Sequence, residues 1–176
     1  MQSLLLKIAT FIESLNEWVG RTISWLTLFM VVITFLIVVL RKINNIGWIS
    51  MQESVVFMHA LVFLLGAAYT LKQEGHVRVD IFYRNLSDYG KAWIDCLGAF
   101  FLLLPVSVFI FWYSLDYVTD SWALQEGSRE AGGLPGVYIL KATLLIMPGL
   151  IILQGITQII RGVILILNHK QQHTGS

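Results

Sequence analysis

The sequence predicts an all-α integral membrane protein: an N-terminal amphipathic interfacial helix followed by four long, tilted transmembrane helices in a single membrane domain, 1–176. Three observations carry that prediction. Of 176 residues, 56% are hydrophobic and only 13% charged, and the mean hydropathy of +0.72 is more than a soluble domain can hide inside itself. Four segments, 22–40, 53–72, 91–119 and 136–167, approach or exceed the roughly 20 apolar residues that a spanning helix needs. They take up most of the chain, which leaves no room for a soluble catalytic domain, and barrel strands would be about half as long and alternating.

The first element, 4–19, is too short and too polar to span. On a helical wheel Leu4, Ile8, Phe11, Ile12, Leu15, Trp18 and Val19 share one face, and Lys7, Glu13, Ser14, Asn16 and Glu17 the other. The pattern is that of a helix lying in the interface. Its polar face is acidic, so burial of the apolar face against lipid or a partner subunit holds it there. Helix one follows with no small-residue cleavage site, flanked by Arg21 and Arg41, and is expected to be retained.

Asn44-Asn45, Gly47 and the interfacial Trp48 close a hairpin into span two. Arg41 and Glu53 thereby come to the same membrane level, either as a pair or as two separate snorkelling ends. Gly66-Ala67-Ala68 in span two allow close helix approach. His59 is the only histidine within the four segments, and a hydrogen bond to a neighbouring helix is its expected role, because a haem would need a second axial ligand. In span three the run 92–118 would reach about 40 Å, against a hydrocarbon core of about 30 Å, so it must tilt, kink or protrude. Pro105 supplies a place for a kink, and Trp112, Tyr113, Tyr117 and Trp122 form an aromatic belt before Asp116 and Asp120 mark the exit to water.

The loop 121–136 carries Glu126, Arg129 and Glu130 among small residues, which makes it either a docking surface for an extracytoplasmic partner or a flexible connector. Span four contains Pro148-Gly149, a potential kink, and then Gly155 and Gly162 seven residues apart on one face. For orientation, Lys7, Arg21, Lys72, Arg78, Arg84, Lys91, Arg161 and Lys170 lie on the side of the termini, against Arg41, Lys42, Arg129 and Lys141 on the other. Eight against four places both termini in the cytoplasm.

Polar chemistry concentrates in Glu74-Gly75-His76-Val77-Arg78-Val79-Asp80, where an extended segment would present His76, Arg78 and Asp80 on one side. One histidine with two flexible carboxylates makes a weak metal set, so neither metal nor other cofactor is expected. No nucleophile or second histidine accompanies it, so no catalytic residues are assigned and an enzyme is not expected. The segment reads as a clamp that fixes the turn between spans two and three or grips another subunit. Cys96 is the sole cysteine, which excludes an intrachain disulfide. A net charge of +1 without a basic face argues against nucleic acid. Transport sites are built at mid-membrane from interrupted helices, inverted repeats and buried ionisable groups, and the chain has too few of these to transport alone.

Arg41 after span one, Glu53 opening span two, Leu65-Gly66-Ala67-Ala68 and then Gly75-His76-Val77-Arg78-Val79-Asp80 resemble, in order and spacing, the small membrane subunit of tripartite ATP-independent periplasmic (TRAP) transporters, the DctQ-like family. The chain departs from the pattern at Lys42, where an aromatic residue is expected. The resemblance implies a bacterial inner-membrane subunit that binds a large membrane subunit permanently. That large subunit carries an organic acid inward with sodium after a soluble periplasmic protein has captured it, and the small subunit acts as a scaffold. It further implies that Arg41, Glu53, His76, Arg78 and Asp80 are interface or hairpin-fixing groups, and that the loop with Glu126, Arg129 and Glu130 faces the periplasmic binding protein. The competing reading is a membrane anchor for a redox enzyme complex, disfavoured by the single intramembrane histidine. A homo-oligomeric channel is disfavoured because no span shows a polar pore-lining stripe.

Overall fold

The computed structural model describes residues 2–44, 47–73, 75, 83 and 86–174, of which 44 and 171–174 are described by backbone alone. Its elements are helix α1 (Gln2–Asn44), α2 (Ile49–Lys72), α3 (Asp88–Gly98), a π-helical turn (Ala99–Leu103), α4 (Leu104–Ala123) and α5 (Val137–Thr174). All regular structure among the described residues is helical. Among the described residues four helical stretches are long and apolar enough to cross a membrane: Gln2–Ile43, Ile49–Lys72, Asp88–Ala123 and Val137–Lys170. α5 is the hub of the bundle, packed against α1, α2, α3, the π turn and α4.

The bundle is built with small and hydroxylic residues inside and large apolar ones outside. Ala9, Ala68, Ala92, Ala99, Ser107, Ser121, Thr143 and Thr157 are buried, whereas Phe11, Trp18, Trp25, Phe35, Phe63, Phe101 and Trp112 are exposed. That inversion is what lipid as a solvent selects, because hydrocarbon gives no drive for apolar side chains to turn inward and close backbone approach supplies the cohesion instead. Gly20 packs directly beneath the Tyr69 ring, joining α1 to α2. Gly66 faces Ile23, also across α1 and α2. Gly155 sits beneath Leu103 and Leu104, and Gly162 beneath Cys96, so the two glycines of span four bring α5 close to the third span at two levels.

Two differences from the sequence reading have clear physical causes. The segment 4–19 and span one form one continuous 43-residue helix, since no Gly–Pro break or cap separates them and Gly20 is absorbed by its contact with Tyr69. Within it the face turned to the bundle is Ala9, Ile12, Asn16 and Gly20, while Leu4, Ile8, Phe11 and Trp18 point outward. In the third span, the distortion near Pro105 takes the form of the π turn at 99–103. Proline lacks an N–H and its ring crowds the carbonyl four residues back, and a π turn just before it makes room for both defects. Pro148, by contrast, is fully buried within an uninterrupted α5.

Loop chemistry sets the ends. Ser87 caps α3, its Oγ accepting from the Gly90 N–H at 3.3 Å. α4 stops at Gln125, whose φ of +46° is left-handed, with the Glu126 N–H returning to Ser121 O at 3.0 Å. This is a Schellman-type C-cap with glutamine where glycine is usual.

Candidate functional site

Polar side chains gather at the two ends of the bundle. At the end that holds the 121–136 loop, Glu53 projects from the first turns of α2 into the loop. Its Oε1 accepts from the Ser128 hydroxyl, and its Oε2 accepts from the Leu134 N–H at 2.6 Å. Ser128 also accepts the Glu130 N–H at 3.1 Å, and its own N–H donates to Leu134 O at 2.9 Å. Gly133 lies so close to Ser128 and Glu53 that a side chain there would displace both. A single carboxylate thus ties α2 to the loop between α4 and α5, residues remote in sequence. No ion pair joins Arg41 to Glu53 among the described residues, and Arg41 lies exposed at the end of α1.

Glu126 makes a second tie in the same loop. It accepts from Ser121 Oγ at 2.8 Å and from Lys141 Nζ, and these bonds hold its carboxyl below the usual carboxylate range, with the Lys141 bond the larger cause. Lys141 also stands 3.9 Å over the Tyr117 ring centroid, a cation–π contact. Trp122 meets Tyr138 edge-on at 4.8 Å. The loop is therefore cross-braced, not a free connector. Arg129 and Glu130 are exposed at its tip, whereas Glu126 is engaged internally.

The opposite end is fastened by residues 13–21 of α1. Arg161 donates to Glu13 through Nε at 2.5 Å and Nη2 at 2.6 Å, a bidentate pair between α5 and α1. Lys72, the last residue of α2, reaches Glu17 at 2.5 Å and the Glu13 carbonyl at 3.3 Å, and Arg21 also pairs with Glu17. Between these charges Asn16, only 1% exposed, donates from Nδ2 to Gln154 Oε1 at 2.8 Å. Its Oδ1 is buried and has no hydrogen-bond partner among the described residues. Asp95 accepts from the Tyr83 hydroxyl at 2.7 Å. A polar pocket of about 350 Å³ opens here, lined by Glu13, Lys72, Lys91, Asp95, Gln158 and Arg161 among others.

Of the residues singled out from the sequence, Glu53 and Glu126 fall in one region about the 121–136 loop. Glu74, His76, Arg78 and Asp80 lie outside the described residues. His59 is exposed on α2 and makes no hydrogen bond among the described residues, because it falls on the face turned away from α1 and α5. Sequence reasoning missed the pairs Glu13–Arg161, Glu17–Lys72 and Asn16–Gln154. The acidic face of 4–19 was their visible trace, but its partners are set only by helix packing. Among the described residues no three His, Cys, Asp or Glu side chains converge on a metal-sized site.

A four-span bundle whose described ionic groups serve mainly to bind its own segments together has the build of a membrane-embedded subunit. Comparison with known proteins makes the class specific. The family model for "Tripartite ATP-independent periplasmic transporters, DctQ component" matches residues 30–165, and the chain belongs to that family. It is 27% identical over 124 residues to the C4-dicarboxylate TRAP transporter small permease protein DctQ of Vibrio cholerae serotype O1 (strain ATCC 39315 / El Tor Inaba N16961), a match covering 68% of this chain and 51% of the relative. The match thus spans about half the length of that curated relative. No solved structure gives a significant match.

Proposed function

We propose that this chain is the small scaffold subunit of a TRAP transporter. It binds and stabilises a large, DctM-like membrane subunit that takes up an organic acid together with sodium, delivered by a periplasmic substrate-binding protein. The observation that carries the reading is the use made of the acidic groups. Glu13, Glu17, Glu53 and Glu126 are each spent on tying one segment of this chain to another. A scaffold needs a rigid shape and broad apolar flanks, and the exposed faces of α1 and α4 supply the flanks.

In this reading both termini are in the cytoplasm of a bacterium, as the Lys and Arg excess favours, and the Glu53 clamp faces the periplasm. There Arg129 and Glu130, held at the tip of a braced loop, meet the binding protein. Arg41 lies on the same side, near the headgroups. His76, Arg78 and Asp80 on the cytoplasmic side grip the large subunit or fix the turn beside it. The experiment is affinity purification of the tagged chain from its native membranes in mild detergent, with mass spectrometry of what accompanies it. A stoichiometric, highly hydrophobic multi-span partner is expected. Recovery alone, or with a coloured redox partner, would overturn the proposal.

A further inference from the structure

His59 occupies a position that the chain's own packing does not explain. It is the eleventh of the 24 residues of α2, with about 15–20 Å of helix on either side at 1.5 Å per residue. It is also exposed. An imidazole always carries an N–H donor, and in its neutral form also a ring nitrogen acceptor. Hydrocarbon can satisfy neither, and the side chain is too short to snorkel to the headgroups as lysine or arginine do. Charged groups elsewhere on the spans lie toward a helix end, as Asp116 does, or are paired, as Arg161 is with Glu13.

The neighbours of His59 define a seam. Gln52, Val56, His59 and Phe63 are all exposed and follow one another at spacings of four, three and four along α2, with Val56 at 61% and Phe63 at 74% exposure. This is the period of a helix-packing stripe. The other sides of α2 are already taken by α1 and α5. By contrast, the outward stripe of α4 with Val106, Phe109, Trp112 and Tyr113 has no ionisable group until the aromatic belt, as a lipid-facing surface should.

We infer that the Gln52–Val56–His59–Phe63 stripe of α2 is the seat of a transmembrane helix from another subunit, which presents a hydrogen-bonding side chain or a freed carbonyl to His59 at mid-membrane. The inference rests on the scaffold reading, because it takes the occupant to be the large membrane subunit. Val56 and Phe63 close over the polar contact from above and below, and Gln52 lies nearer the headgroups. α2 then has one face for its own bundle and one for the assembly, and the α4 stripe is left to lipid.

Photo-crosslinking in the intact complex tests this. A photoreactive residue is placed at Val56, at Phe63 and, for comparison, at Phe109, and the complex is purified through the tagged chain. Adducts to the large subunit from 56 and 63 but not from 109 are expected. Copurification of the large subunit with adducts only from 109 would overturn the seam while leaving the scaffold reading intact. Adducts to a second copy of this chain would overturn the assignment of the occupant, and absence of any partner would sink the scaffold reading itself. In parallel, His59→Leu is expected to weaken retention of the large subunit about three- to twenty-fold, the range of a single interhelical polar contact in lipid. His59→Gln should restore part of the loss. Unchanged retention by His59→Leu would overturn the polar contact at His59.

Discussion

Replacing Gly162 by alanine places a Cβ into the Cys96 sulfur, with the Ala92 carbonyl oxygen next at 3.4 Å and Cys96 Cβ at 4.0 Å. Non-bonded heavy atoms settle at about 3.5–4.0 Å, so the sulfur is the one atom that must move. Cys96 is 8% exposed and its Sγ lies 3.8 Å from the Ile159 carbonyl, which leaves it little room. Overpacking of this kind costs about 1–3 kcal/mol, and the better helix propensity of alanine returns up to about 1 kcal/mol. Gly162→Ala should therefore cost a net of about 0–3 kcal/mol. Cys96→Ala alone should cost about 1 kcal/mol, the loss of one buried heavy atom. In the double variant the new methyl enters the space the sulfur vacates and meets only ordinary contacts. The two changes should then couple favourably by at least 1 kcal/mol, well beyond the roughly 0.3–0.5 kcal/mol scatter of independent sites. Unfolding of the purified chain in one detergent, followed by helical circular dichroism, reads all four corners of the cycle. Strict additivity in the double variant would refute the close approach of α5 to α3.

Gln125→Gly should raise stability by about 1 kcal/mol, because it relieves a left-handed glutamine at the end of α4; an unchanged or lower unfolding midpoint would show that the residue is not strained. The folded state holds the Glu126 carboxyl below its ordinary value, so its contribution is complete above the unfolded value of about 4.3 and is lost as pH falls through the lower folded value. Trp122 emission should report that acid opening of the loop, and Glu126→Gln should abolish the transition; persistence of the transition in the variant would assign it to another group. Arg129→Cys, exposed at the loop tip, should be labelled by a membrane-impermeant thiol reagent on intact cells, with buried Cys96 giving little background. Labelling only after lysis would invert the proposed orientation.

The four apolar spans were legible because membrane helices announce themselves by length and hydropathy, one segment at a time, but the continuity of 4–19 with span one was not. Gly66, Gly155 and Gly162 were legible as close-packing positions for the same local reason, although the residues they would meet were not. What escaped was information held in pairs. Gly20 gave no sign of Tyr69, and nothing near Asn16 pointed to Gln154, 138 positions away. The helical wheel of 4–19 sorted apolar from polar residues correctly but assigned the bundle side to neither. In water the apolar face would turn inward, yet here Asn16 and Glu13 do so, because the bundle offers Gln154 and Arg161 while lipid offers nothing polar. Glu53 was singled out by its place opening span two and by the family resemblance. Its engagement by Ser128 and Leu134, not by Arg41, depends on how the outer loop folds back.

The ties at the two ends of the bundle have different consequences. Glu53 and Glu126 brace a loop against the helices that carry it, so they set the local shape of one surface. Glu13, Asn16 and Glu17 instead attach the N-terminal half of α1 to α2 and α5, and they do so with the polar face of that segment. Leu4, Ile8, Phe11 and Trp18 are consequently held outward on a helix that cannot roll without breaking the Arg161 and Lys72 contacts. A fixed apolar flank of this kind is useful only if something apolar is always against it. The polar latch therefore has its value in orientation more than in stability: it decides which side of α1 meets the bilayer or a neighbouring subunit. Asn16, buried between α1 and α5, contributes to that latch through its bond to Gln154. A methionine or leucine at Asn16 would pack without the desolvation cost but would lose the Gln154 bond, leaving the Arg161 and Lys72 contacts alone to fix the rotation of α1.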